Sequence, residues 1–148
     1  MYRHILVPTD GSKLSAKAVR TAGSLAKAFG AKLTGVYVTP PYLPPMYGEA
    51  VLYGPYLTPK RYQDLVEKEA KKALAVVEIE AQTAGVQFGA VTVSNSLAWQ
   101  GIIRTAKAKK CDLIVMASHG RRGIAGLVLG SETTKVLTHS KTPVLVCR

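Results

Sequence analysis

The chain has 148 residues, enough for one domain with a substantial hydrophobic core and too few for two. Hydrophobic residues make up 47% and charged residues 20%, a composition that excludes disordered, fibrous and coiled-coil chains. The formal net charge is +11, from 20 lysines and arginines against 9 aspartates and glutamates, so an anionic partner is the first to consider.

The chain opens with a predicted strand, a turn and a helix. The apolar run from Tyr2 to Pro8 predicts a buried strand and is too short for a signal-peptide core or a membrane span. We therefore expect a cytoplasmic protein with no membrane partner. Thr9 to Ser12 is a predicted turn, and apolar residues recur at helical spacing from Leu14 until Gly30 ends the helix. Lys32 to Val38 predicts the second strand.

The middle of the chain predicts a long loop, a long helix and a third strand. The segment from Thr39 to Pro59 is rich in proline and tyrosine, and prolines at that density prevent a regular element. A loop of this length either covers a functional site or is a mobile insertion. An apolar stripe then runs at helical spacing from Pro59 to Ala84, and Gly85 follows as a helix stop. Gln87 to Val93 predicts the third strand.

The last third continues the alternation of strands and helices. Leu97 to Lys110 has helical spacing, and Asp112 to Ala117 is a continuous apolar strand. A glycine-rich segment then leads into a helix from Ser131 to about His139, and Thr142 to Cys147 predicts the final strand. Strands that are apolar throughout, with helices between them, are buried on both faces. The pattern predicts one α/β domain over residues 1–148, with a five-stranded parallel sheet and helices on both faces.

The cysteines and histidines do not follow a metal or disulfide pattern. Cys111 and Cys147 lie in or beside apolar runs, which predicts buried free thiols in a reducing compartment. Together with His4 and His139 they lack the spacing of zinc ligands. No nucleophile or carboxylate can be placed beside His119, so we assign it no catalytic chemistry.

The positive charge is concentrated near the C-terminus. Residues 101–148 hold nine basic and two acidic side chains, a net of +7. Arg121 and Arg122 lie in the glycine-rich segment, which favours a small polyanion as the ligand. No nucleic-acid-binding motif accompanies the charge, which disfavours nucleic acid. Lys107, Lys109 and Lys110 precede the fourth strand at its amino end, so they form a separate basic surface that this ligand does not explain.

The glycine-rich segment from Met116 to Thr134 is suited to phosphate. Its flexible backbone can turn amide groups inward around an anion, and the helix start at Ser131 adds unpaired N–H groups. The motif G-x-x-x-x-G-K-[ST] is absent, and Gly120, Gly123 and Gly126 do not have the G-x-G-x-x-G spacing of dinucleotide sites. The segment therefore disfavours a P-loop NTPase and a Rossmann dehydrogenase.

The same segment resembles the ATP-binding branch of the universal stress protein family, whose motif is G-x-x-G, nine residues, then G-[ST]. Gly120 and Gly130-Ser131 match this motif with nine residues between them. Three further segments are similar to family signatures, and they are Ile5 to Ser12, Asp112 to Gly120 and Lys141 to Val146. The resemblance implies a Rossmann-like, adenine nucleotide alpha hydrolase-like sheet with the strand order 3-2-1-4-5.

In such a sheet, ligands bind beyond the carboxyl ends of strands one and four, where the strand order reverses. The resemblance implies that Pro8, Thr9 and Asp10 line the adenine and ribose pocket and that the Val38 backbone reads the adenine edge. Asp10 would repel phosphate, so it serves the adenosine end of the ligand or a divalent ion. As an alternative or additional role, Asp10 and Ser12 are both residues that cap helices.

The resemblance implies that the glycine-rich segment binds the phosphates of the ligand. Gly120, Gly130 and Ser131 would bind them through backbone N–H groups, with the hydroxyl groups of Ser131 and Thr133 as further donors. Turn and cap chemistry with no ligand is the alternative. Arg121 either contacts the terminal phosphate or points to water. The complete candidate nucleotide-binding set is Pro8, Thr9, Asp10, Val38, Met116, Ala117, His119, Gly120, Arg121, Gly130, Ser131, Glu132 and Thr133.

One residue departs from the family motif, because Ala117 stands where its first glycine would be. A methyl group there crowds the ribose, which weakens nucleotide binding without excluding it. The implied ligand is ATP or another adenine nucleotide, with Mg²⁺ or Mn²⁺ bound through the phosphates, in a stress-response sensor or switch. No general base is evident, so we expect slow ATP hydrolysis at most.

The alternative function is a dimeric interaction protein of the same family that binds no nucleotide. The family is usually dimeric, and the terminal strand from Pro143 to Cys147 is apolar and would form an open sheet edge. The resemblance therefore implies a homodimer that forms through this strand.

Overall fold

Five strands and four helices alternate along the part of the chain that the computed structural model describes, residues 1–44, 57–121 and 129–148. The strands are β1 (His4–Pro8), β2 (Lys32–Thr39), β3 (Phe88–Ser94), β4 (Leu113–Ala117) and β5 (Val144–Cys147). The helices are α1 (Lys13–Phe29), α2 (Pro59–Ala84), α3 (Ala98–Ala108) and α4 (Ser131–His139).

The strands form one parallel sheet in the order β3-β2-β1-β4-β5. β1 pairs with β2 on one side and with β4 on the other, so Ile5 lies opposite both Leu33 and Leu113. β3 and β5 are the outer strands. The predicted fold class and strand order are confirmed, and the order of the strands reverses between β1 and β4.

Both faces of the sheet are buried under helices. Ile5 and Val7 of β1 pack with α1 and α2, whereas Leu6 packs with α3 and α4 on the opposite face. All three side chains are fully buried. Burial of a side chain of this size stabilises the fold by about 1.5–3 kcal/mol. Because β1 has no solvated face, its sequence is apolar throughout.

Side chains cap the first turns of helices α1 and α2, as the sequence predicted for Ser12 of α1. The hydroxyl oxygens of Ser12 and Thr58 each accept a hydrogen bond from a backbone N–H in the first turn of the following helix. At the other ends, Gly30 and Gly85 adopt left-handed conformations with φ of 63° and 69°. Only glycine adopts this conformation without a steric penalty, which confirms the predicted ends of both helices.

Two strands begin two residues later than the sequence predicts, and polar side chains explain the difference. The Asp112 carboxylate accepts the N–H groups of Arg3 at 2.8 Å and His4 at 3.0 Å, so β1 begins only at His4. Before β5, the Ser140 hydroxyl donates to the Thr142 carbonyl at 2.8 Å and accepts the Thr142 N–H at 3.0 Å. These bonds form a turn where the apolar pattern alone predicted strand.

The two cysteines are buried free thiols, as predicted. Burial, together with the neighbouring Asp112 charge, raises the pKa of Cys111 to about 11. Cys111 is therefore a protonated thiol at neutral pH, with little nucleophilic character.

The predicted proline-rich loop is described only at its two ends, because residues 45–56 lie outside the described part of the chain. The Tyr62 hydroxyl on α2 donates to the Pro40 carbonyl at 2.5 Å, and the Tyr42 hydroxyl donates to the Leu57 carbonyl at 2.8 Å. The first bond joins the start of the loop to α2, and the second joins the two ends of the loop to each other. Among the described helices, none combines the length and the hydropathy that a membrane span requires.

Candidate functional site

Two loops meet at the carboxyl ends of β1 and β4, where the strand order reverses. One loop follows Pro8 and the other follows Ala117. The Arg121 N–H donates to Asp10 Oδ2 at 2.7 Å, which joins the two loops directly. The sequence predicted that these loops face each other, and the hydrogen bond confirms it.

Asp10 accepts hydrogen bonds from its own loop as well as from the loop that follows Ala117. Asp10 Oδ1 accepts the Ser12 N–H at 2.9 Å, and the Ser12 hydroxyl in turn accepts the Ser15 N–H at 3.1 Å. Ser12 is therefore the cap of α1, while Asp10 holds the turn before it. Burial raises the pKa of Asp10, but hydrogen bonds from Ser12 and from the Arg121 N–H outweigh it, so the net pKa lies below the usual range.

A cavity of about 170 Å³ lies between the two loops and the face of the sheet covered by α3 and α4. Val36 and Val38 of β2 and Met116 of β4 give it an apolar wall, and Asp10 gives it a carboxylate. Ten of the thirteen predicted residues line this cavity, and they are Pro8, Thr9, Asp10, Val38, Met116, Ala117, His119, Gly120, Glu132 and Thr133. A pocket with apolar walls and a few polar groups is the usual form of a small-molecule site.

Four lining residues were missed by the sequence interpretation. Val36 lies two residues before Val38, so both side chains point to the same face of β2. Ala98 and Ile102 lie four residues apart on one face of α3, and Ser15 lies in the first turn of α1. Periodicity could have identified the valine and the two α3 residues, because a residue two positions away on a strand or four on a helix shares the same face.

The two motif glycines allow close approach of backbone to other groups. A Cβ added to Gly120 would lie 2.5 Å from Asp10 Oδ2, and a Cβ added to Gly130 would lie 3.2 Å from His119 Cα. The Gly130 N–H donates to the Ser118 carbonyl at 2.7 Å. The sequence predicted that this N–H binds phosphate. The structure corrects that prediction, because the N–H is already hydrogen-bonded to the Ser118 carbonyl.

Thr133 and Glu132 also have roles that differ from those predicted. The Thr133 hydroxyl is buried and donates to the Ala117 carbonyl at 3.0 Å, so it is not free for phosphate. Glu132 Oε2 accepts the backbone N–H of Trp99 at 2.8 Å, and Oε1 pairs with Lys135 at 3.6 Å. Glu132 therefore caps α3, whose own N-cap residue provides no side-chain hydrogen bond.

We expect replacement of Glu132 by alanine to lower the free energy of unfolding by about 1 kcal/mol, the usual cost of a lost helix cap. Urea denaturation followed by circular dichroism measures this value. Lys135→Met is the matched control, because it removes only an exposed ion pair and should cost less than about 0.5 kcal/mol. Equal losses in the two variants would contradict the assignment of Glu132 as the cap.

Ser131 and the charged side chain of Arg121 do not line the cavity. Arg121 is half-exposed, and its guanidinium pairs with Glu69 of α2 at 3.3 Å. Ser131 is exposed at the start of α4, which has no side-chain cap. Arg122, which the sequence placed beside the phosphates, lies outside the described residues.

Within residues 1–44, 57–121 and 129–148, no group of three or more histidine, cysteine, aspartate or glutamate side chains is arranged to hold a metal ion. His119 Nδ1 lies 3.2 Å from the Ser118 hydroxyl, a hydrogen bond that orients the ring at the edge of the cavity. The protein side chains thus supply a shaped pocket and hydrogen-bonding groups. A divalent cation would need further ligands from a bound phosphate.

Comparisons with known proteins match one family over the whole length of the chain. The model of the universal stress protein family matches residues 1–148. Universal stress protein YxiE of Bacillus subtilis is 34% identical, over 100% of both chains, and universal stress protein MJ0531 of Methanocaldococcus jannaschii is 32% identical, over 100% of this chain and 83% of that one. A solved universal stress protein in complex with cAMP is similar at a TM-score of 0.70 and 29% identity, over 99% of this chain and 97% of that one. The chain belongs to the universal stress protein family.

Proposed function

We propose that the crevice between β1 and β4 binds an adenine nucleotide, with ATP as the full ligand. The observation that carries this proposal is the cavity itself, which collects ten predicted residues from β1, β2, β4, α4 and the two loops at the carboxyl ends of the strands. A family member of similar structure binds cAMP, which supports an adenine nucleotide as the class of ligand.

The cavity has a suitable lining for the base and the ribose. Val36, Val38, Ile102 and Met116 offer apolar surface to a planar base, and Asp10 offers a carboxylate to the ribose hydroxyl groups. The volume of about 170 Å³ is smaller than the roughly 300–1,000 Å³ of sites that enclose a whole drug-sized ligand. We therefore expect base and ribose to be enclosed while the phosphates extend out of the cavity.

The uncapped start of α4 is the region to which the phosphates extend. The first N–H groups of a helix have no partner within the helix, and they carry the positive end of its dipole. Ser131 adds an exposed hydroxyl at this position. Mg²⁺ or Mn²⁺ would bind mainly through the phosphates and would neutralise their charge there. The nucleotide-dependent switch follows from this arrangement, because occupation of the crevice would bridge the loop after β1 and the start of α4.

Isothermal titration calorimetry with Mg-ATP tests the proposal, with Mg-GTP as the control for the base. We expect saturable heat with Mg-ATP and at least tenfold weaker binding of Mg-GTP, since a built pocket discriminates between purine edges. Absorbance of released nucleotide in the purified protein is a second, independent measurement. No heat at millimolar Mg-ATP, together with no co-purified nucleotide, would exclude the proposal.

The Ala117 methyl group packs on the face of the sheet opposite the cavity. Ala117 lies at the end of β4 and lines the cavity, but its side chain belongs to the α1 and α2 core with Val7 and Val115, whereas Met116 belongs to the α3 and α4 face. The predicted crowding of the ribose by this methyl group therefore does not apply. We expect Ala117→Gly to lower the free energy of unfolding by about 0.5–1 kcal/mol, the cost of glycine in a strand, and to change Mg-ATP affinity less than threefold in calorimetric titration. A tenfold gain in affinity would contradict this orientation.

The homodimer through β5 also belongs to the proposed function. β5 is an outer strand, and Leu145 at its centre is 40% exposed. Pairing of this edge with a second copy would bury that side chain and satisfy the free strand edge. Light scattering checks the mass, and Leu145→Glu is expected to convert the dimer to a monomer. A monomeric wild-type protein at all accessible concentrations would exclude the dimer, without bearing on the nucleotide site.

A further inference from the structure

A second cavity, of about 270 Å³, lies on the outer strand β3 and shares no lining residue with the nucleotide crevice. Its floor includes the side chains of Val91 and Val93, and α3 contributes Ala108 to one wall. Gly101 allows α3 to lie against Val38 of β2, since a Cβ there would be 2.8 Å from the Val38 side chain. Because α3 packs over β2, it leaves this face of β3 as an open groove.

The outer edge of β3 has hydrogen-bonding groups that no described strand pairs with. The Gln87 carbonyl and the Asn95 N–H, which flank β3, both bond to β2. Backbone groups of a strand point to alternate sides with a repeat of two residues. The N–H and carbonyl groups of Ala90 and Thr92 therefore point away from the sheet.

This edge also lacks the usual protection against pairing. Proteins blunt exposed edges with charged residues or proline on the strand. The seven residues of β3, Phe88–Ser94, include no charged residue and no proline. An unprotected edge beside an apolar groove is suited to accept an additional strand.

The rim of the groove is basic. Arg104 and Lys109 line it, and both are exposed. Within the described ranges, the ion pairs are Arg121 with Glu69 and Lys135 with Glu132, so neither rim residue is neutralised by one. Neither α3 nor β3 contains an acidic residue. The charge that complements this rim is negative.

We infer that the β3 groove binds an extended acidic segment of a partner protein, which adds to the sheet as a sixth strand. Side chains of an extended segment alternate between two faces. Every second side chain would therefore face the groove. Of these, the ones over Val91 and Val93 would be apolar, the ones beside Arg104 and Lys109 would be acidic, and the backbone would bond to the β3 edge. A nucleic acid would use the charges but neither the apolar floor nor the strand edge.

A second copy of this chain is a poorer occupant than an acidic partner. Symmetric pairing of two β3 edges would bring the basic rim of one copy toward that of the other. Like charges placed opposite each other disfavour such pairing, and each chain carries a net charge of +11. The groove on β3 and the edge of β5 lie at opposite edges of the sheet, so a partner segment and a second copy could bind at the same time.

A designed peptide can serve as the probe. It has about nine residues, slightly more than the length of β3, and carries a fluorescent label and blocked ends. Valine and glutamate share the groove-facing positions, which are every second residue, and threonine occupies the positions between them. Fluorescence anisotropy measures its binding at moderate salt. We expect saturable binding of this peptide and at least tenfold weaker binding of a scrambled peptide with the same composition, whose valines and glutamates are divided between both faces.

Separate variants test the basic rim of the groove and the hydrogen-bonding edge of β3. Arg104→Glu combined with Lys109→Glu should weaken binding at least tenfold. Lys17→Glu combined with Lys72→Glu, on α1 and α2 across the sheet, changes the net charge equally and should change binding less than threefold. Thr92→Pro removes one outward N–H and should also weaken binding at least tenfold, whereas Thr92→Val should not.

Amide hydrogen exchange of the wild-type protein gives a readout that does not depend on whether Thr92→Pro folds. Added peptide should slow exchange at Ala90 and Thr92, whose N–H groups point outward near the middle of β3. Equal binding of the scrambled peptide would overturn the inference, and so would unchanged exchange at both residues. Binding of an oligothymidylate of matched charge that depends on Arg104 and Lys109 but not on the Thr92 N–H would instead identify a general polyanion surface.

Discussion

Replacement of Gly130 by aspartate is expected to lower the affinity for Mg-ATP at least 100-fold. Gly130 is the N-cap of α4, the region to which the proposed phosphates extend, so the new carboxylate would repel them directly. A 100-fold loss corresponds to about 2.7 kcal/mol, within the range of one close charge repulsion in a partly desolvated site. Calorimetric titration of both proteins with Mg-ATP provides the comparison.

Gly130→Asn is the matched control, because asparagine has nearly the same shape as aspartate without its charge. The backbone of Gly130 has φ of −72°, a conformation open to any residue, and both side chains are good helix caps. Both carry a Cβ close to His119, so any steric cost is shared. We expect asparagine to weaken binding less than tenfold and both variants to stay folded. Equal losses of affinity in the two variants would argue against phosphate at this position.

Asp10→Ala is expected to lower the free energy of unfolding by about 2 kcal/mol. Its carboxylate accepts the N–H groups of Ser12 and Arg121, and such bonds to a charged acceptor contribute about 1.5–3 kcal/mol each before partial exposure reduces them. The variant also loses the bond between the two loops, so we expect Mg-ATP affinity to fall about tenfold. Asp64→Ala, which removes an exposed carboxylate on α2, should cost less than about 0.5 kcal/mol.

The contribution of the Asp10 carboxylate to the free energy of unfolding should depend on pH. The pKa of Asp10 is lowered in the folded protein, so the folded state keeps the carboxylate charged to a lower pH than the unfolded state does. Its stabilising effect is therefore complete above the ordinary value near 4 and is lost as the pH falls through the lower folded value. The difference in unfolding free energy between wild type and Asp10→Asn should be constant near neutral pH and shrink below about pH 4. A constant difference down to acid pH would contradict this assignment.

The sheet and the helix ends could be predicted because each depends on residues close together in the sequence. The fully apolar run of β1 reflects a strand buried on both faces, and Gly30 and Gly85 end helices because of their own backbone conformations. The late starts of β1 and β5 could not be predicted from apolar pattern. They depend on Asp112 and Ser140, polar side chains that capture backbone groups.

For the site, spacing and family resemblance identified ten lining residues, but not which of their polar groups stay free. The Gly130 N–H bonds to the loop that follows β4, the Thr133 hydroxyl bonds to the last residue of β4, and Glu132 caps a helix more than thirty residues away. A hydrogen-bonding group has a limited number of partners, and folding brings together competitors that are distant in the sequence. The sequence therefore determines the sheet, the helix ends and the location of the crevice, while tertiary packing decides which donors and acceptors remain available to a ligand.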